Sequence, residues 1–188
     1  MDLKTIDITD PCGVQAVFDN LLDCQNREDM AKLYDNIAPD YDMVSNEWAG
    51  PAETAAKLQE IEPNKNACIL DVGCGTGLVG KAVSDVGYLN LYGIDMSESS
   101  LNIASEKGVY SKLINATFGP ETPLNYKDGF FDVALSTGCF LPNHLDHTHL
   151  PEMIRLVKKV QNIIKPYMNL NLTLSNQALY SYPVAWGR

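Results

Sequence analysis

Apolar and polar positions change rhythm part-way along the chain. Residues 1–50 are mostly polar, with scattered apolar positions that fit short helices. Asp10-Pro11 predicts a helix start running through Val17 to Leu22, because Pro sits early in a helix at no hydrogen-bond cost. A second helix is expected over Asp29 to Tyr34. A third runs from Pro51 through Ala55, Ala56 and Leu58 to Ile61, ending before Pro63. From residue 66 the pattern alternates between short apolar runs and helical spacing. Ala67 to Val72 is a buried strand bounded by polar residues and glycines. Strands at Leu89–Ile94, Ser111–Ala116 and Phe131–Ser136 follow, with helices at Leu78–Ser84 and Ser97–Lys107 between the earlier ones. Pro151 to Ile164 reads as one helix, with Ile154, Val157, Val160 and Ile164 on its apolar face and Arg155, Lys158, Lys159 and Lys165 in water. Met168 to Leu174 alternates with period two, as a fifth strand does.

Strands alternating with helices specify an α/β fold: a doubly wound, mostly parallel sheet with right-handed crossovers. Three parts are expected: a helical N-terminal extension over 1–50, a ligand-binding domain over 51–174 and a tail over 175–188. Such a sheet binds ligand beyond the carboxyl ends of its strands, where strand order reverses.

Composition narrows the function classes. With 188 residues, 45 % hydrophobic and 20 % charged, the chain has ordinary globular composition. Its 14 basic and 24 acidic residues leave a net charge of −10, which disfavours nucleic-acid partners. No apolar run reaches the ~18 residues of a membrane span, and Met1-Asp-Leu-Lys lacks a signal-peptide layout. The five cysteines are odd in number and contain no CxxC, so reduced thiols and a cytoplasmic or nuclear setting are expected.

The segment Ile69-Leu-Asp-Val-Gly-Cys-Gly-Thr-Gly77 carries the most chemistry. Gly73, Gly75 and Gly77 follow a buried strand and precede a helix, where they let a ligand approach the main chain. Gly75-Thr-Gly-Leu-Val-Gly80 also matches the dinucleotide pattern G-x-G-x-x-G. Asp71 argues against a dinucleotide: a carboxylate at the strand's mouth repels pyrophosphate and attracts an ammonium. S-adenosylmethionine offers an ammonium, a carboxylate and a sulfonium, with no phosphate. Asp95 ends the second strand, 18 residues after Gly77, where a carboxylate can accept both ribose hydroxyls. Its plainer use is a helix cap, a role Ser97 also fills. Met96 can lie flat on adenine.

Asp71-Val-Gly-Cys-Gly-Thr-Gly77, Ile94-Asp-Met-Ser97 and Phe131-Asp-Val133, in that order, resemble the class I S-adenosylmethionine-dependent methyltransferases. With Tyr34 to Asp42 and Gly138 to His144 added, the closest resemblance is to the Williams–Beuren syndrome region methyltransferase-like proteins. The resemblance implies a Rossmann-like sheet of strand order 3-2-1-4-5. It implies that the backbone of Gly73, Cys74 and Gly75, with Asp71, holds the methionine end, Asp95 the ribose and Met96 the adenine. Thr117 or Phe118 would meet the adenine edge, and Ser136 to Gly138 would pass near the ammonium. Tyr34 and Tyr41 would close over the cofactor, or simply pack. After Lys165-Pro166 the family has a Gly-Gly turn where this chain has Tyr167-Met168, and the sheet is expected to be truncated after its fifth strand.

Methyl transfer from a sulfonium leaves a neutral thioether, so positioning supplies much of the rate. The acceptor is read as a small molecule or a protein. The Asn/Asp-Pro-Pro-aromatic signature of base N-methylation is replaced by Ser136-Thr-Gly-Cys139. His144 is the candidate substrate contact or base, by its place after the fourth strand. His144, His147 and His149 with Asp146 admit a metal site, but a solvated loop is the simpler reading and no metal is assigned. Cys74 and Cys139 read as small fillers rather than nucleophiles. Two rivals remain: a catalytically silent cofactor-binding or interaction protein, and an NAD-dependent oxidoreductase.

Overall fold

The computed structural model describes residues 24, 26–45, 48–141, 143–158 and 163–164. Strand β1 (Ile69–Val72) is buried along its whole length, as a central parallel strand must be. It pairs in parallel with β2 (Leu91–Asp95), Ile69 opposite Leu91, and with β4 (Val133–Leu135), Ile69 opposite Val133. β3 (Lys112–Asn115) adds outside β2, and β5 (Ile163–Ile164) outside β4. The order is β3-β2-β1-β4-β5, so the chain leaves β1 toward β2 and later returns to its other side at β4. A crevice opens at that reversal.

Alternation along the strands divides the core between two faces. Ile69, Leu91, Val133 and Leu135 pack with Ala55 and Leu58 of helix α2 (Gly50–Ile61) and Val79 and Val83 of α3 (Leu78–Asp85). Leu70, Val72 and Ala134 pack on the other face with Phe131, Met153, Leu156 and Val157. Helix α1 (Arg27–Val44) lies against α4 (Glu98–Glu106). Asn26 caps α1 by accepting from the Asp29 N–H at 2.9 Å, and Ser97 caps α4 by accepting from the Ser100 N–H at 3.1 Å.

Two predicted elements are corrected. The helix expected over Asp29–Tyr34 runs from Arg27 to Val44, through Pro39. Pro39 forfeits the bond to the carbonyl of Asp35, but tethers on both sides hold the helix through it. Asp35 accepts from the Ser97 hydroxyl (2.6 Å) and the Ser99 N–H (3.1 Å), and Asp42 accepts from the Thr76 hydroxyl (2.5 Å) and Lys107 Nζ (2.6 Å).

The helix expected over Pro151–Ile164 stops at Leu156, as α5 (Leu150–Leu156). Val157 is extended (φ −96°, ψ 145°) and bridges Phe131, whose N–H bonds the Leu156 carbonyl and whose carbonyl accepts from the Lys158 N–H. Pairing along the β4 edge outcompetes helix continuation there, so Ile163–Ile164 supplies β5. Ile154, expected on the apolar face, is 42 % exposed, while Glu152 is buried because Arg155 binds its carboxylate at 2.7 Å. Arg155, expected in water, also donates to the Tyr126 and Leu124 carbonyls. The helix expected at Asp10–Leu22, the strand expected at Met168–Leu174 and the 175–188 tail lie outside the described residues.

Candidate active site

The glycine loop is fixed to the sheet by its own backbone. The N–H groups of Gly73 and Cys74 both reach the Ile94 carbonyl, at 2.8 and 3.1 Å. Gly75 N–H reaches Asp95 Oδ2 at 2.8 Å, and Ser97 N–H reaches Asp95 Oδ1 at 2.9 Å. Asp95 therefore ties the loop to the end of β2 and starts α4. Burial raises its pKa, against the lowering effect of these N–H groups. Gly73 and Gly75 have left-handed φ of 72° and 51°. A Cβ on Gly73 would strike the Cys139 thiol, whereas a Cβ on Gly75 would meet nothing within 4 Å. The main chain at Gly75 thus faces open space.

Beneath the loop lies a second carboxylate with a different fate. Asp71 is 2 % exposed and accepts from the Tyr110 hydroxyl at 2.7 Å. Burial pushes its pKa up to about 7, against the lowering effect of the Tyr110 bond. The Tyr110 ring threads a notch made by glycines: a Cβ on Gly77 would come within 3.2 Å of its Cε2, one on Gly93 within 3.0 Å of its Cε1, and one on Gly80 within 2.8 Å of its Cε2 and closer still to its hydroxyl. Gly80, the last glycine of the G-x-G-x-x-G match, is small for a tyrosine and not for a dinucleotide.

Helix α1 roofs the crevice. Its Met30, Tyr34 and Tyr41 face the glycine loop and the ends of β2 and β4 across a cleft of about 1030 Å³, open solvent at the mouth included. Tyr34 and Tyr41 meet edge-on, ring centres 6.3 Å apart, and the Tyr34 hydroxyl lies 2.8 Å from His144 Nε2. Arg27 donates to the Phe118 carbonyl and to His149 Nε2. His149 Nδ1 accepts from the Asp146 N–H at 3.1 Å and lies 2.9 Å from Asp146 Oδ1.

These residues fit S-adenosylmethionine. Asp95 offers a carboxylate for a ribose diol, Met96 and Phe118 line the wall where a flat base would lie, and Gly75 leaves room for the ligand against the main chain. Residues 69–166, just over half the chain, match the family described as "Methyltransferase domain". The chain belongs to that family. The human protein "Methyltransferase-like protein 27" is 36 % identical over 125 residues, covering 64 % of this chain and 51 % of the relative. "Demethylmenaquinone methyltransferase" of Staphylococcus aureus (strain JH9) is 26 % identical over 148 residues, covering 75 % and 58 %. The chain thus spans about half the length of these curated relatives. Among solved structures, the [4+2]-cyclase SpnF shares the fold with TM-score 0.56 and 21 % identity, over 71 % of this chain and 57 % of that one. The methyltransferase domain is class I, and S-adenosyl-L-methionine is its cofactor.

The cleft gathers most of the residues singled out from sequence. Gly73, Cys74, Gly75, Asp95, Met96, Thr117, Phe118, Tyr34, Tyr41 and His144 all line it. Asp71, Gly77 and Ser136 do not: Asp71 turns to Tyr110, Gly77 faces Ala104 and Tyr110, and Ser136 is buried beneath the β4 end. Asp71 thus lies beneath the loop, outside the cleft. His149 is spent on Arg27 and Asp146, and no group of three metal-ligating side chains occurs among the described residues. Burial raises the Cys74 and Cys139 pKa values far above those of reactive thiols, in keeping with filler roles. Sequence reading missed Trp48, Arg27 and Tyr110. Trp48 and Arg27 line the cleft, and Tyr110 holds its floor.

No helix among the described residues is long and apolar enough to cross a membrane.

Proposed function

We propose that this chain transfers a methyl group from S-adenosylmethionine to a small-molecule acceptor entering beneath α1. The observation that carries this is Gly75: its left-handed backbone opens on free space beside the Asp95 carboxylate, at the mouth of the strand reversal. In this reading the backbone of Gly73 to Gly75 takes the methionine end, Asp95 the ribose, and Met96, Thr117 and Phe118 the adenine. Bound there, the cofactor supplies an electrophilic methyl carbon. Tyr34 and Tyr41 exclude water from above, and the β4 end from Thr137 to Cys139 positions the acceptor. His144 is the acceptor contact or base. A relative named for demethylmenaquinone supports a small-molecule acceptor over a protein.

Calorimetric titration tests the cofactor half. S-adenosylhomocysteine should bind and NAD should not, and Asp95→Asn should weaken binding by about 2 kcal/mol through loss of charge-assisted bonds to two hydroxyls. Unchanged affinity in that variant removes Asp95 from the ribose. Methylation of some component of a metabolite extract tests the rest; cofactor binding with no transfer leaves a silent binding protein.

A further inference from the structure

The two ends of the cleft differ in charge. Among the described lining residues, formal charge sits on Arg27 and Asp95. Arg27 is turned to the Phe118 carbonyl and His149, and Asp95 to the Gly75 and Ser97 N–H groups, both on the nucleoside side. The β4 end is lined instead by Trp48, Tyr34, Tyr41, Thr137, Cys139 and His144. Apart from the cofactor's own sulfonium, a charged acceptor would find no ion-pairing side chain at this end, and a charge buried without a partner costs several kcal/mol.

Trp48 gives this end a flat wall. Its indole lies between two glycines: a Cβ on Gly50 would fall 2.7 Å from Nε1, and one on Gly138 would fall 3.2 Å from Cη2 and Cζ2. Side chains at either position would push the ring away, so the glycines hold an aromatic plate where the acceptor must sit. In the same cleft, the Tyr34 hydroxyl lies 2.8 Å from His144 Nε2, with the rings edge-on at 5.6 Å.

We infer that the acceptor is an uncharged, flat hydroxyl compound seated on Trp48, whose O–H proton passes through the Tyr34 hydroxyl to His144. This rests on the methyl-transfer reading above. An acceptor-oxygen lone pair forms the new O–CH3 bond as the CH3–S bond breaks, its electron pair staying on sulfur as a neutral thioether. The acceptor's proton goes to the Tyr34 oxygen while the Tyr34 proton goes to Nε2. One positive charge leaves sulfur and one appears on the imidazole, which returns its proton to solvent. Burial raises the Tyr34 pKa well above that of an ordinary phenol, so Tyr34 relays the proton rather than resting as phenolate.

The test uses one ring in three charge states with the full chain: para-cresol, para-toluate and para-methylbenzylammonium. On protein loaded with S-adenosylhomocysteine, para-cresol should bind about tenfold or more tighter than either charged probe. Its addition should shift the His144 imidazole signals in NMR spectra of the wild type and leave them in place in Tyr34→Phe. With S-adenosylmethionine, Tyr34→Phe should lose kcat by about 10²-fold with KM for para-cresol little changed. His144→Gln should also lose kcat by about 10²-fold with KM for para-cresol little changed. The inference is overturned if either charged probe binds as tightly as para-cresol, if para-cresol does not bind, or if Tyr34→Phe keeps the imidazole response and the kcat. Failure of S-adenosylhomocysteine itself to bind is a separate result: it removes the methyl-transfer reading and this inference with it.

Discussion

Replacing Gly80 by alanine separates two expectations of opposite sign. Gly80 is a buried position inside α3 with no left-handed φ, so helix propensity alone predicts that alanine stabilises by about 1 kcal/mol. The packing predicts the reverse. The added Cβ would lie 2.8 Å from Tyr110 Cε2 and nearer still to its hydroxyl, so the ring must move. Overpacking of this kind costs about 1–3 kcal/mol. Moving the ring also breaks the 2.7 Å bond to Asp71, leaving a buried carboxyl unsatisfied at about 1–3 kcal/mol. Set against the helix gain, the net effect is a loss of about 1–5 kcal/mol. Urea unfolding reads this as a fall in midpoint at constant slope. In a Tyr110→Phe background the nearest clashing atom and the bond to Asp71 are both already gone, so the same substitution should cost less, and the difference is the coupling energy. Stabilisation by Gly80→Ala, or an equal cost in both backgrounds, would falsify the notch.

Arg155→Met should destabilise by about 3–5 kcal/mol, because it strips the charged partner from buried Glu152, leaving it the Leu124 N–H, and the donor from the Leu124 and Tyr126 carbonyls; thermal unfolding checks it, and a loss below about 1 kcal/mol refutes it. Asp71 has a folded pKa of about 7, raised above its unfolded value, so its contribution to stability is complete below about pH 4 and is lost as pH rises through 7. Asp71→Asn should therefore gain on the wild type progressively between about pH 4 and 7 and hold a constant advantage above; parallel curves across that range in urea titrations rule this out.

The glycine loop, Asp95 and Met96 were legible because their chemistry is local: strand, turn and acid follow at spacings that the backbone imposes. α1 was partly legible. Met30, Leu33 and Ile37 have helical spacing, but Pro39 reads as a stop, and the tethers from Asp35 and Asp42 that carry the helix past it come from residues over 30 positions away. The end of α5 failed for a related reason. Ile154, Val157, Val160 and Ile164 keep helical period, yet Val157 pairs with Phe131 and Ile163–Ile164 with β4, and a strand edge seeking partners leaves no periodic mark. Trp48 and Tyr110 were illegible because each is explained by distant glycines: Gly138 for one, Gly80 and Gly93 for the other. The signal was present as small residues without an assigned turn, though nothing local says which large ring they admit.

Two carboxylates under one loop also set the sign of its field. Asp95 is held by two backbone N–H groups, while Asp71 is held by a single phenol and titrates near 7. Asp71, Asp95, Cys74, Cys139 and Tyr110 act on one another electrostatically, and burial keeps both thiols and the phenol neutral in this range. Ionisation of Asp71 therefore adds a negative charge beneath the loop as pH rises through 7. S-adenosylmethionine carries one more positive charge than S-adenosylhomocysteine, at the sulfur. An ionised Asp71 favours the extra charge, more strongly the closer it lies to the sulfur. The affinity ratio of the two ligands should thus move toward S-adenosylmethionine as pH rises through 7, and Asp71→Asn should abolish that movement. The same ionisation that weakens the fold would then strengthen preference for the reactive cofactor over its product. A ratio that is flat with pH in the wild type, or equally steep in Asp71→Asn, would show that Asp71 lies too far or too well screened to act on the sulfur.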